Sequence, residues 1–325
     1  MSARVKLLLS FVAFMCLILP QTLTAQERYP VKPIKIVVAL GPGSVADAVA
    51  RLVGESLRRE LNTEVIVEHK PGAAGVLGAD FVARSKPDGY TLGLFHSSPL
   101  TTSVALTPNM PYDPIKDFTP LGNVGVNSTA LVANAASPWK TLAEFLNYAR
   151  DNPGKATYGI IGVGSHSHFN VELLKIAARV EITAVPYKAG TGPAIAGLLG
   201  GHIDTVSLVW PALSEHVRAG KFRALAVTSP IKEVPELPTF AALGFPQVNL
   251  EVFFGLFGPA GLPKLAAGKL IPALEKSVKD PAHVAKLDKM GFAVAYEGPK
   301  EFSERIGKEL TVVRDVARRS GIKQE

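Results

Sequence analysis

Short apolar, β-branched runs alternate along this chain with stretches whose apolar residues recur every three or four positions. The runs Ile34 to Leu40, Glu64 to Glu68, Thr91 to Phe95, Thr157 to Ile161, Ile182 to Tyr187, Ile203 to Val209, Arg223 to Thr228, Val252 to Phe257 and Phe292 to Tyr296 read as strands. Val49, Leu52, Val53, Leu57 and Leu61 fall on one face of a helix over Asp47 to Leu61. Thr141 and Glu144 form a capping-box pattern ahead of Leu142, Phe145, Leu146 and Ala149, and Phe302, Ile306, Leu310 and Val313 give the last helix its apolar stripe. The repeated order of strand, loop and helix predicts an α/β chain with largely parallel sheets.

Two stretches read as crossings between lobes: Asn123 to Ser137 and the proline-rich Pro230 to Pro246. They divide the chain into a discontinuous first lobe, residues 26–126 and 247–325, and a second lobe, residues 127–246. A cleft between the lobes is expected at the carboxyl ends of the strands, where open α/β sheets place ligands. Residues 1–25 stand apart. Arg4 and Lys6 precede an apolar run from Leu7 to Leu19, then Pro20, with the small Ala25 ahead of Gln26. This is the layout of a cleaved secretory signal peptide, too short for a spanning helix of about 20 apolar residues.

Composition narrows the picture. The 325 residues carry 35 Lys plus Arg against 28 Asp plus Glu, a net charge of +7, but no basic run exceeds a pair such as Arg58-Arg59. Loss of Arg4 and Lys6 with the leader lowers +7 to +5. Nucleic acid is not an expected partner. The one cysteine, Cys16, lies in the leader, so the mature chain has no disulfide and no thiol chemistry.

Three loops share one design: each follows a strand, is rich in glycine or small polar residues, and opens a helix. They are Gly41 to Asp47, Gly162 to His168 and Lys188 to Pro193. Unpaired N–H groups and the positive dipole end at a helix N-terminus suit a carboxylate or phosphate, and glycine allows close approach. Each loop alone also fits an ordinary strand-to-helix turn. Other chemistry is weakly represented. His166, His168 and Glu172 are too few for a metal site, no dinucleotide or Walker-type fingerprint is present, and neither metal nor cofactor is expected. Gly164-Ser165-His166-Ser167 lacks the second glycine of a nucleophile elbow.

A series of short motifs then runs in order: Tyr29-Pro30-Val31-Lys32-Pro33-Ile34, Pro42-Gly43 with Asp47, Lys70-Pro71-Gly72-Ala73-Ala74-Gly75, Pro87-Asp88-Gly89-Tyr90-Thr91-Leu92, Asn152-Pro153-Gly154-Lys155, Gly164-Ser165 with His168, Val185-Pro186-Tyr187-Lys188, Gly200-Gly201-His202-Ile203-Asp204 and Arg223-Ala224-Leu225-Ala226-Val227-Thr228. In this order and spacing the chain resembles the Bug family of periplasmic solute-binding proteins, receptors of tripartite tricarboxylate transporters. The resemblance implies a type II periplasmic-binding-protein architecture, two α/β lobes closing like a Venus flytrap over a small carboxylate. It implies ligand contacts at Pro42, Gly43, Ser44, Asp47, Ser97 and Ser98 in the first lobe. In the second lobe it implies Gly164, Ser165, His168, Tyr187, Lys188, Ala189 and Asp204. Ser44 and Ala189 stand where the family usually has glycine.

The expected function is therefore capture of a carboxylate in the periplasm, as a monomer without enzymatic activity, for the membrane components of a tripartite tricarboxylate transporter. A ligand sensor of the same fold, meeting a sensor protein, is the alternative. A secreted hydrolase using Ser165 and His168 is a third reading, without an evident orienting group or oxyanion motif.

Overall fold

The structure, a computed structural model, describes residues 28–187 and 190–322. The predicted leader with Cys16 lies outside the described residues, as do Lys188 and Ala189.

Ten strands among the described residues form two five-stranded sheets. The first contains Ile34–Val38 (β1), Val65–His69 (β2), Thr91–His96 (β3), Phe118–Asn127 (β4) and Val252–Pro259 (β10), in the order β2-β1-β3-β10-β4. The second contains Thr129–Asn134 (β5), Thr157–Ile160 (β6), Thr183–Pro186 (β7), Thr205–Val209 (β8) and Phe222–Val227 (β9), in the order β7-β6-β8-β5-β9. The helices are Val45–Leu61 (α1), Val76–Ala83 (α2), Thr102–Leu106 (α3), Leu142–Asp151 (α4), His166–Ala178 (α5), Thr191–Leu199 (α6), Ser214–Arg218 (α7), Lys264–Lys279 (α8), Pro281–Lys289 (α9) and Pro299–Ser320 (α10).

Each sheet is mixed by one reversed strand. β10 runs antiparallel to β3 and β4, and β5 runs antiparallel to β8 and β9. Both reversed strands are the first that the chain lays down after changing sheets. The first change takes one residue, Ser128, between β4 and β5. β4 and β5 therefore fill most of Asn123 to Ser137, where only a crossing was expected. No turn separates them, and Gly122, Asn123, Gly125 and Asn127 interrupt the apolar pattern that marks a strand. Conversely, Phe292 to Tyr296 is not a strand. It pairs with β4 through one isolated antiparallel bridge, Val126–Ala293, with a second just beyond it at Asn123–Glu297, and Ala295 O accepts from Asn123 Nδ2 (3.3 Å).

Both faces of each sheet are covered, which is why the strands read as continuous apolar runs. On one face of the first sheet Ile34, Ile36 and Val38 pack with Val49, Val53 and Leu57 of α1 and Leu270 and Leu274 of α8. On the other, Val37, Phe95, Phe253 and Phe257 meet Phe302 and Ile306 of α10. The second half of α10 joins a different core. Leu310, Val313 and Val316 are buried with Phe145, Tyr158 and Phe169 around the second sheet. One amphipathic helix thus spans both cores, and its stripe is the one visible in the sequence.

The two changes of sheet are laced together. Ser128 Oγ lies 3.0 Å from Thr228 Oγ1, and the Ser229 N–H donates to Ser128 Oγ (3.1 Å). Asn170, buried in α5, donates to Thr129 Oγ1 (2.9 Å) and to Leu250 O (2.8 Å), and its own oxygen accepts from Leu250 N–H (3.0 Å). A single side chain therefore clamps the chain at both passages.

Candidate ligand-binding cleft

The loop after β1 and the loop after β6 are built the same way, one in each lobe. In the first, Ser44 caps α1, its Oγ accepting from Asp47 N–H (3.2 Å). The carboxylate of Asp47 returns the favour by accepting from Gly43 N–H (3.0 Å). In the second, Ser165 caps α5, its Oγ accepting from His168 N–H (3.2 Å), and His168 Nδ1 accepts from Gly164 N–H (3.1 Å). Both glycines take left-handed backbone, φ +77° and φ +79°. This closed arrangement satisfies the third N–H of each helix and the N–H before each cap. It leaves Val45 and Ala46, and His166 and Ser167, as first-turn residues whose N–H groups have no acceptor inside the helix. Each loop can thus offer N–H groups and a dipole end to an anion, with no cationic side chain needed.

The two side chains that tie these loops are committed to that task. Asp47 Oδ1 also meets His69 Nε2 (2.9 Å) and Arg51 Nε (3.0 Å). Burial works to raise its pKa, but the hydrogen bonds from Gly43 N–H, His69 and Arg51 hold the carboxyl below its ordinary range. His168 accepts at Nδ1, so its proton sits on Nε2. Burial lowers its pKa; Glu172 opposes this and Lys175 adds to it. A neutral His168 and an anionic, fully engaged Asp47 organise the loops rather than supply free charge. The hydrolase reading loses its base here, since Ser165 Oγ receives the backbone N–H of His168 and the ring turns to Gly164.

Other predicted residues divide. Ser97 and Ser98 follow β3, next to β1 in the sheet, and so stand beside the first loop. Ser97 is fully buried with Oγ 3.4 Å from His166 Nδ1, which joins the two lobes at this end of the strands. Tyr187 follows β7. Its N–H donates to Ile160 O (2.7 Å), beside the second loop, and its ring lies against Gly197, where any side chain would collide with the phenol. Asp204 is a correction. It sits at the amino end of β8, accepting from Thr157 N–H (2.8 Å) and Thr157 Oγ1 (2.9 Å) at the amino end of β6. That is the far end of the sheet from the loops, and its carboxylate ties two strand starts together.

Several residues at this end were not among the expected ligand contacts. His166 Nε2 meets Glu309 Oε1 of α10 (2.8 Å), and Thr101 Oγ1 donates to the same oxygen (2.7 Å). His96 ends β3 with its imidazole pKa pushed down to about 4, by burial first and by His166 second, so it is neutral at pH 7. After β2 the backbone runs left-handed through Gly72, Ala73, Ala74 and Gly75, with φ +135°, +47°, +52° and +94°. Two of these are alanines, which pay for that conformation, and such strain gathers at functional sites. Gly75 abuts the His96 ring and Pro99, so the strained turn borders the cleft. Among the described residues, and apart from each glycine's own chain neighbours, no atom lies within 4 Å of where a side chain would begin at Gly41, Gly43 or Gly162. Surface cavities of about 610, 580 and 440 Å³ are lined by other residues. Among the described residues no three His, Cys, Asp or Glu could share a metal ion, and no helix is long and apolar enough to cross a membrane.

Comparison with known proteins converges on one family. Residues 49–321 match the family model described as tripartite tricarboxylate transporter family receptor. Protein BugT of Bordetella pertussis is 32% identical over 300 residues, covering 91% of this chain and 92% of BugT. Among solved structures, MatC from Rhodopseudomonas palustris with bound malate is 30% identical with a TM-score of 0.71, covering 89% of this chain and 99% of MatC. An R. palustris protein with adipate is 28% identical with a TM-score of 0.76, covering 92% of this chain and 100% of that one. Built on the same two-lobed α/β architecture, the chain belongs to the tripartite tricarboxylate transporter receptor family, the Bug-type periplasmic binding proteins.

Proposed function

We propose that this chain, exported by its residues 1–25, is a monomeric receptor that captures a small carboxylate between lobes formed by residues 26–126 with 247–325 and by residues 127–246, and delivers it to tripartite tricarboxylate transporter membrane components. The observation that carries the reading is the matched pair of capped loops, Gly43-Ser44 with Asp47 and Gly164-Ser165 with His168, one per lobe at the carboxyl ends of the strands. Pro42, Gly43, Ser44, Ser97, Ser98, Gly164, Ser165 and Tyr187 are the proposed lining, completed by Lys188 and Ala189. Asp47 and His168 act on the ligand through the loops they close. Two helix N-termini on opposite walls suit a ligand with a carboxylate at one end and a second acceptor group at the other. Malate and adipate, held by two relatives, both have that form. Closure would exclude water and strengthen the N–H to carboxylate interaction.

The test is a thermal-shift and calorimetric screen of the mature chain with mono-, di- and tricarboxylates, malate and adipate included. At least one should raise the melting temperature in a concentration-dependent way, because a ligand that binds only the folded state stabilises it by mass action. A flat response across the panel would sink the reading.

A further inference from the structure

We propose that His69 is a positioning residue for anion capture: it holds the Asp47 carboxylate on Gly43 and away from the α1 N–H groups that the first loop offers to a ligand. The inference rests on the carboxylate reading of that loop. Asp47 is the third residue of α1 and is 6% exposed. A carboxylate at this position can reach back to its own helix N-terminus, where negative charge is stabilised. The side chain that closes the loop is therefore also a competitor of an anionic ligand for the N–H groups of Val45 and Ala46. Where the carboxylate is held decides between the two roles.

Its two oxygens are divided between partners. Oδ2 accepts from Gly43 N–H (3.0 Å), and Oδ1 faces His69 Nε2 (2.9 Å) and Arg51 Nε (3.0 Å). An ionised carboxylate only accepts, so the His69 ring carries a proton on Nε2. The two donors to Oδ1 are not equal. The Arg51 side chain is 61% exposed and lies on α1 itself, so its ion pair is screened and moves with the helix. The His69 side chain is 16% exposed and ends β2, whose backbone is fixed to β1 just beyond it by the bond from Lys70 N–H to Val38 O (2.9 Å). His69 thus anchors the carboxylate to the sheet from outside the helix. The second loop is closed instead by a neutral ring, His168 on Gly164 N–H, and so provides a control within the same molecule.

Selective ¹⁵N-glycine labelling reads both loops without ligand, with the two amide signals assigned by Gly43→Ala and Gly164→Ala. His69→Leu removes the donor, and His69→Gln puts an amide N–H at similar reach. In His69→Leu the Gly43 signal should move and its exchange with solvent quicken, while the Gly164 signal stays as in wild type. For each carboxylate that wild type binds, malate and adipate tested first, Kd should rise about tenfold, within the ordinary range of coupling between sites. His69→Gln should restore both readouts. His69→Phe replaces His69→Leu should that variant not fold. An unmoved Gly43 signal, an equal change at Gly164, an unchanged Kd where the Gly43 signal has moved, or no recovery with His69→Gln would overturn the proposal. A wild type that binds no carboxylate sinks the cleft reading instead, and the Gly43 and Gly164 signals then decide alone whether His69 holds the loop.

Discussion

His166 Nε2 and Glu309 Oε1 lie 2.8 Å apart, and through this contact the first residue of α5 is fixed to the helix that spans both cores. Thr101 Oγ1 reaches the same carboxylate oxygen at 2.7 Å and Ser97 Oγ faces the other ring nitrogen at 3.4 Å. Four side chains from three segments thus meet at one buried point between the lobes. Glu309→Ala strands His166 and Thr101, and removing one partner of a buried pair costs about 3–5 kcal/mol. The double variant Glu309→Ala with His166→Ala should cost clearly less than the sum of the two single changes, measured by denaturant midpoints. Simple additivity would show that the two residues are not coupled.

Asn170 is one turn further along the same helix and holds both passages between sheets. Asn170→Ala leaves the Leu250 N–H and C=O without this partner and removes the bond to Thr129. At about 1–3 kcal/mol for each buried group left unmet, the loss should be on the order of 3 kcal/mol. Carboxylate affinity should fall as well, because the angle between the lobes is then less defined. A variant that unfolds at the wild-type midpoint would show that Asn170 does not clamp the passages.

The periodic elements were legible from residues alone. The face of α1, the stripe of α10 and the strand Ile34–Val38 each carry their own pattern, and the structure keeps them. The glycine loops were legible as well, because a strand followed by small residues and a capping serine has few other local solutions. What escaped depended on distant partners. β4 and β5 are joined without a turn, and their strand character comes from β10, β8 and β9 on either side. Phe292 to Tyr296 has strand composition but forms no continuous ladder with its neighbour β4, meeting it at an isolated bridge and a side-chain hydrogen bond. Asp204 lay close in sequence to cleft motifs, yet a strand has two ends and local pattern does not say which end a carboxylate serves. His166 and Glu309 are 143 positions apart, and no spacing rule connects them.

Acid should weaken the fold in two separable stages. The folded-state pKa of His96 is about 4 against an ordinary 6.5, and that of His168 is also lowered. The unfolded chain therefore binds more protons than the folded one in this window, and stability falls as pH drops from 6.5 towards 4. For His96 the full effect is on the order of 3 kcal/mol. Asp47, Glu68 and Asp113 are also lowered, but from ordinary values of 3.8, 4.5 and 3.8, so their contributions disappear only at more acidic pH. Denaturation at pH 7, 6 and 5 should show the first stage, and His96→Gln should flatten it. An equal slope in wild type and variant would remove His96 as its source.

The twin loops allow a comparison within one molecule. Gly43 and Gly164 have nearly the same left-handed φ, +77° and +79°, but different surroundings. Among the described residues a side chain at Gly43 meets nothing within 4 Å beyond its chain neighbours, whereas one at Gly164 would collide with Leu106 Cδ1 of α3, across the interface between lobes. Gly43→Ala should therefore cost only the left-handed backbone penalty, about 1–2 kcal/mol. Gly164→Ala carries that penalty and must also turn aside the Leu106 methyl, the free end of a flexible side chain, so the added overpacking cost falls at the low end, about 1 kcal/mol. Shortening the neighbour should recover the second part. In a cycle of Gly164→Ala with Leu106→Ala, the double variant should be more stable than the two single costs predict, while Gly43→Ala with Leu106→Ala should be additive. If the two loops hold the ligand as proposed, the Gly164→Ala single variant should also bind carboxylate more weakly, because Leu106 is a point where the two lobes touch. Equal costs for the two glycine changes would mean that Leu106 does not press on the second loop in solution.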